Sequence, residues 1–499
     1  MRAAAFACVA ALSALGCASA PHPSPPAQPP PPAPTASAEL PLEAPPPAAA
    51  SEPQPFPAID ELALDNGLSV NIVRRDHYPV VEVRLILRGG SASDGARPGR
   101  AQLAAEFLEA GGAGQLDPYQ LATRIESLGS SLHIEALPDS TQVSLAVTSA
   151  NLAAALDVLG DVVLRPRFDA GELDKLRQRK IEDARTALAS DPSYEANMVL
   201  SRQLYQGHPY GHFDALPSEL EALTLKDCQS WYRSQVTPKN AVLVLAGNVE
   251  PKSAMSRVKR LFAGWRGARP SPPPVATTSL SSRRTVWLVD RPGLAQSEIR
   301  VAGLTTKRQS PDWPAIAADN QLLGGETAGR LFLEVRERLS LAYHTGSVLM
   351  ERRQGRVPLV LSAATRVDKT ADALRALLQQ ASALSSTPPA ASEVATAKRY
   401  LSDSFAFQTE TVNGIAGLVA RLRALDLPDG YYDDYQKQLQ TMGAAELFAT
   451  TLRTVDLWSP VMVVVGDASR IEQSLRAFGT VAVLDPREEL VKARELPQL

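Results

Sequence analysis

Residue types able to do catalytic or metal chemistry are sparse in this 499-residue chain. Its six histidines are His22, His77, His133, His208, His212 and His344. His208 and His212 stand four apart, the spacing at which two imidazoles on one helix face share a metal. Pro209 lies between them and opposes that helix, so His208-Pro209-Tyr210-Gly211 reads as a turn. The cysteines are Cys8, Cys17 and Cys228. Only Cys228 falls in the folded part, so no intrachain disulfide forms there, and it reads as a small half-buried hydrophobe on a helix. No Ser/His/Asp order and no phosphate-cradling glycine loop stands out, and Gly324-Gly325 reads as a turn at a helix end. Spacing alone assembles no complete catalytic or metal-binding constellation.

Composition excludes other classes. Lys plus Arg (51) nearly cancels Asp plus Glu (54), leaving a net charge of -3. No basic tract is interleaved with aromatics, so nothing recruits nucleic acid. The length exceeds what one core serves, and two or more domains are expected. The first residues form a targeting segment: Arg2 supplies the charge and residues 3–15 a short apolar run, too short to span a bilayer as a mature helix. Ala14-Leu15-Gly16-Cys17 resembles a bacterial lipobox, which implies a signal peptide over 1–17 and lipid on Cys17. Ala18 after that cysteine points to the outer membrane, facing the periplasm. The rival reading is secretory cleavage after Ala18-Ser19-Ala20, which would leave Pro21 just past the scissile bond. Residues 18–58 are dominated by Pro and Ala and read as an extended tether.

The elements that must position any site come in two similar sets. A second Pro-rich stretch, 267–284, separates halves at 59–266 and 285–486, with a tail at 487–499. Each half opens with an alternating strand, 81–87 and 297–301, and continues with an apolar helix ending in glycines, 105–112 and 316–325. Each closes with a strongly apolar strand, 241–247 and 461–466, followed by an amphipathic helix, 252–262 and 470–478. Further helical periods cover 169–190, 194–205, 224–234, 369–384, 391–407 and 412–425. Strands mixed with longer helices in this order predict an α+β fold built from a duplicated domain.

Five passages resemble the pitrilysin/insulinase family of zinc peptidases, M16. They are Leu64-Asp65-Asn66-Gly67-Leu68, the run from Pro98 to Leu108, the run from Leu204 to Gly211, the run from Tyr232 to Gly247, and the run from Gly329 to Tyr343. The resemblance implies two homologous α/β-roll domains, each an antiparallel-rich sheet covered by helices. Active members carry His-x-x-Glu-His on a helix, two zinc ligands one turn apart with a general base between them. Those three positions fall on Gln102, Ala105 and Glu106. A carboxamide plus a carboxylate is no substitute for two imidazoles. The family's distal zinc ligand maps by spacing to Glu182, a relic ligand facing Glu106 or, with the histidines gone, one more solvated charge.

The second half keeps its own signature. The family uses an Arg and a Tyr, seven positions apart, to hydrogen-bond the substrate backbone near the scissile carbonyl. Arg336 and Tyr343 match, and both side chains are donors able to favour charge on a carbonyl oxygen. Some bacterial members divide the work between two chains, one carrying zinc and the other the Arg/Tyr pair. The resemblance therefore implies a non-zinc subunit of a heterodimeric metallopeptidase. It would bind no cofactor itself, work beside a partner that holds zinc, and act on peptides in the cell envelope. The other reading is a peptide-binding or scaffolding lipoprotein with no proteolytic role.

Overall fold

The computed structural model describes residues 54–498 apart from 277, 279 and 487–489. The expected signal segment, Cys17 and most of the expected tether lie outside the described residues. The first half contributes β1 (Asp60–Ala63), β2 (Ser69–Arg74), β3 (Val80–Leu87), β4 (His133–Ala136), β5 (Thr141–Thr148) and β6 (Ala241–Gly247). The second contributes β7 (Thr285–Asp290), β8 (Gln296–Lys307), β9 (Ala342–Leu349), β10 (Arg356–Arg366), β11 (Asp456–Gly466), β12 (Thr480–Asp485) and β13 (Val491–Leu496). They form two sheets, β1-β2-β6-β3-β5-β4 and β13-β12-β7-β11-β8-β10-β9.

The duplication expected from the sequence is explicit in these orders. β2-β6-β3-β5-β4 and β7-β11-β8-β10-β9 correspond strand for strand in order, with β2–β6 and β7–β11 parallel and the other pairs antiparallel. The fold is α+β, two sheets each covered by helices. The halves differ at their outer edges: the first sheet ends on β1, whereas the expected tail adds β13 beside β12 in the second. Gly67, with φ +93°, makes the β1–β2 turn, its N–H donating to Leu64 O. An L side chain there would be strained.

Four helices position the site and join the halves: α1 (Arg100–Ala110), α2 (Ala170–Ser190), α3 (Pro192–Leu204) and α4 (Val412–Ala424). The Asp169 carboxylate caps α2 and Asp191 caps α3, each accepting backbone N–H groups that the first turn leaves unpaired. The sheets explain why the closing strands are apolar throughout. In β6, Leu243 and Leu245 enter the first half's own core, while Val242, Val244 and Ala246 face Ile415, Ala416, Val419 and Ala420 of α4. In β11, Met462 and Val464 enter the second half's core, while Val463 and Val465 pack with Ala196, Val199 and Leu200 of α3. Each half therefore lends a helix to the other's sheet, and both faces of β6 and of β11 from Met462 to Gly466 are dry.

Polar pins repeat the exchange. Glu82 and Arg84 pair on β3 at 3.0 Å, and Arg84 donates to Asn413 Oδ1 of α4. Glu298 and Arg300 pair on β8 at 2.9 Å, and Arg300 donates to Asn197 Oδ1 and Ser193 Oγ of α3. The Glu-x-Arg spacing puts both side chains on one strand face. The end of the expected tether is also pinned: Phe56 packs against Phe405 and Tyr432, and its N–H donates to Asp433.

Candidate functional site

The first site residues lie on α1, which packs beside the edge strand β4. The buried Asp94 carboxylate accepts the Ala101 N–H at 2.7 Å and fixes the start of this helix. Gln102 is half-buried, Ala105 fully buried, and Glu106 faces α2. There the Lys180 ammonium donates to Glu106 Oε1 at 2.8 Å, both side chains about a quarter exposed or less. The carboxylate at the second histidine position is thus held by a cation from the protein itself.

Glu182 does not face Glu106. Two residues along a helix is a rotation of about 200°, and Leu173, Leu176, Ile181, Ala184 and Leu188 define the buried stripe of α2. Lys180 lies on the inner flank of that stripe. Glu182 lies outside it, two-thirds exposed, and accepts from Arg185 at 2.7 Å. Its position is that of a solvated charge. The zinc implied by the resemblance does not fit these residues: an alanine stands where the base belongs, and an ammonium holds the one carboxylate. Among the described residues, no three His, Cys, Asp or Glu side chains group so as to hold a metal ion.

His208 and His212 have local partners. His208 Nδ1 accepts from the Tyr210 N–H at 3.1 Å, so the tautomer that donates from Nε2 suits its 2.9 Å contact with Pro274 O. Pro209–Gly211 forms a 3-10 turn, so His208 and His212 share no helix face, and His212 pairs with Glu219 at 3.6 Å. Cys228 is fully rather than half buried, and burial pushes its thiol up to about 12, which leaves it protonated and inert.

Arg336 and Tyr343 come together at the opposite sheet. Arg336 sits on Phe332–Arg338, a π-helical segment whose Leu339 N–H reaches back five residues to Glu334 O. Arg330 anchors its approach through a bidentate pair with Glu393 at 2.7 and 2.9 Å. Ser340 then takes φ +51°, a left-handed conformation uncommon for serine, and turns the chain into β9. β9 is an edge strand of the seven-stranded sheet, at the end opposite β13. His344 opposes Ala364 and Ala342 opposes Thr365, so Tyr343 is the extra residue of a β-bulge. The bulge is why neighbouring Tyr343 and His344 both point to solvent, where a regular strand would bury one of them.

The outcome is a stacked pair. The Arg336 guanidinium carbon lies 4.9 Å from the Tyr343 ring centre and 4.7 Å from that of Phe332. Tyr343 is 82% exposed, so it is not the core aromatic that a strand position alone suggests. The nearest carboxylate to Arg336 is Glu337 at 3.6 Å. A guanidinium fork and a phenol are thereby presented side by side at a sheet edge.

Comparison with known proteins gives the family. Residues 70–214 match the family model described as insulinase (peptidase family M16), and residues 222–401 match the peptidase M16 inactive domain. The chain belongs to peptidase family M16. An uncharacterized zinc protease of Mycobacterium bovis is 27% identical over 265 residues, 52% of this chain and 60% of that protein. Subunit 1 of the mitochondrial cytochrome b-c1 complex of Homo sapiens is 24% identical over 264 residues, 52% of this chain and 54% of that protein. The chain thus spans 60% or less of the length of these curated relatives. A peptidase M16 inactive domain of Pseudomonas fluorescens superposes with a TM-score of 0.74 at 25% identity, over 82% of this chain and 98% of that one.

The sequence singled out Gln102, Ala105, Glu106, Arg336 and Tyr343 but not Lys180, the π-helical segment or the bulge. Lys180 was accessible from the phase of the apolar stripe on α2. Nothing in residue types distinguishes a five-residue from a four-residue backbone repeat.

Proposed function

We propose that this chain is the non-zinc subunit of a two-chain M16 peptidase, lending Arg336 and Tyr343 to a partner that carries His-x-x-Glu-His. The observation that carries this reading is the stacked pair at the edge strand β9, 4.9 Å apart and open to solvent. An extended peptide pairing with a sheet edge presents its carbonyls in a row. Donors beside that edge can hydrogen-bond one of them and favour the oxyanion that forms when a partner's zinc-bound water attacks. The chain's own contribution is binding and orientation, since Ala105 offers no base and Glu106 is held by Lys180. That a similar human protein is a subunit of a complex is consistent with a paired arrangement. Lipid on Cys17 would place the assembly at the outer membrane, facing the periplasm.

The test is reconstitution with a co-purifying M16 chain that bears the zinc motif. Alone, this chain leaves peptides intact; with its partner, zinc-dependent cleavage appears. Arg336→Ala then lowers kcat/KM about 10²–10³-fold, as loss of an oxyanion donor does, and Tyr343→Phe has a smaller effect. An unchanged rate in both variants rejects the shared site. The second reading is an inert peptide-binding lipoprotein, which edge strands such as β4 and β9 would also serve. It predicts peptide binding that needs no partner and a pair whose cleavage ignores both substitutions.

A further inference from the structure

Between the halves lies a cavity of about 600 Å³, a size typical of small-molecule sites. Its walls come from the end of β3 (Arg88), the interdomain linker (Arg269 to Pro273), the turn after β9 (Arg353, Gln354) and the segment after α4 (Asp426). Three guanidiniums face it against one carboxylate. Arg88 stands 3.9 Å from Asp426, and Arg353 stands 4.0 Å from Asp426 and 4.0 Å from Asp139. All three separations are longer than a hydrogen bond. Asp139 is already engaged by the Tyr210 hydroxyl and the Arg353 backbone N–H. Asp426 takes φ +53° and is half exposed, so it is a poor counter-ion for two arginines.

Two polar atoms in this wall are buried without a partner among the described residues, Arg88 Nε and Gln354 Oε1. The first is a donor and the second an acceptor. Burial and the like charges of Arg269, Arg423 and Arg353 outweigh Asp426 and lower the Arg88 pKa, the signature of crowded cations. Buried donors of this kind are ordinarily satisfied. We infer that this cavity binds a small oxyanion-bearing molecule, a phosphate ester or polycarboxylate, through Arg88, Arg269 and Arg353. Guanidinium forks match both oxyanions bidentately. Because the walls come from both halves, the ligand would also brace one against the other.

Calorimetric titration of the full chain with inorganic pyrophosphate and with citrate, at matched ionic strength against sodium chloride, tests this. One saturable site for pyrophosphate alone assigns a phosphorylated ligand; for citrate alone, a polycarboxylate. Arg269→Gln, at an exposed linker position, and Arg353→Gln should each weaken binding about tenfold, and each should reduce the ligand-induced rise in Tm. The circular dichroism of both variants should match the parent. Lys252→Gln with Lys259→Gln, on a separate basic groove, should leave binding unchanged. No saturable binding of either anion, or binding lost in the lysine variant and kept in both arginine variants, overturns the assignment.

Discussion

Lys180 and Asp319 illustrate how single side chains resist reading from sequence. Spacing along the chain pointed to Glu182, and only the rotation of α2 brings Lys180 to Glu106 instead. Asp319 carried no motif at all. It is 2% exposed, and its carboxyl oxygens lie 2.8 and 3.0 Å from Thr451 Oγ1, which is also 2.9 Å from Leu447 O. One hydroxyl proton cannot serve both acceptors fully. If Asp319 is protonated, it donates to Thr451 and Thr451 donates to Leu447. Burial pushes this carboxyl up to about 7. The folded state then keeps a proton that the unfolded chain loses near pH 4, so the contribution is full below that value and is lost as pH rises through 7. The parent protein should lose about 1–4 kcal/mol relative to Asp319→Asn between pH 4 and 7. Urea unfolding at several pH values checks it; a pH-independent difference would contradict the assignment.

At the scale of elements, much was legible. β6 was predicted at its observed bounds, and most helix ends fell within about two residues, because apolar periodicity and Asp caps mark them. The partner of each face was not legible. An amphipathic stripe such as Ile415, Ala416, Val419 and Ala420 announces burial but not which sheet receives it. The tail was read as a tail because a short edge strand like β13 has little signal of its own. The exchange makes a specific demand on α4. Ile415→Ala removes a fully buried side chain from the first half's sheet and should cost about 2–5 kcal/mol. Tryptophans report both halves, Trp231 and Trp265 in the first and Trp287 and Trp313 in the second. Their fluorescence should shift to lower urea together; loss confined to the second half would mean that α4 serves its own sheet alone.

At the scale of the molecule, the duplication was visible in the order of four sequence features, and the two sheets repeat it strand for strand. Mutual dependence of the halves was not visible, because it arises from α3 and α4 crossing between them. A first half expressed alone, residues 59–266, would expose Val73, Ile86, Val242, Val244 and Ala246 as a bare apolar face. It should aggregate or bind a hydrophobic dye, and recover on mixing with residues 285–498. Cooperative unfolding of the isolated half, without dye binding, would show that the exchanged helix is dispensable.

The same scale holds the central proposal, that this M16 chain offers Arg336 and Tyr343 to substrate and binds no zinc of its own. Gln102, Ala105 and Glu106 stand in the motif, with Lys180 where a second cation would be repelled. The most direct measurement is the zinc content of the purified full-length chain after dialysis against micromolar zinc. The account predicts zinc far below one equivalent, unchanged by Glu106→Gln. One tightly held zinc per chain, lost on that substitution, would contradict it.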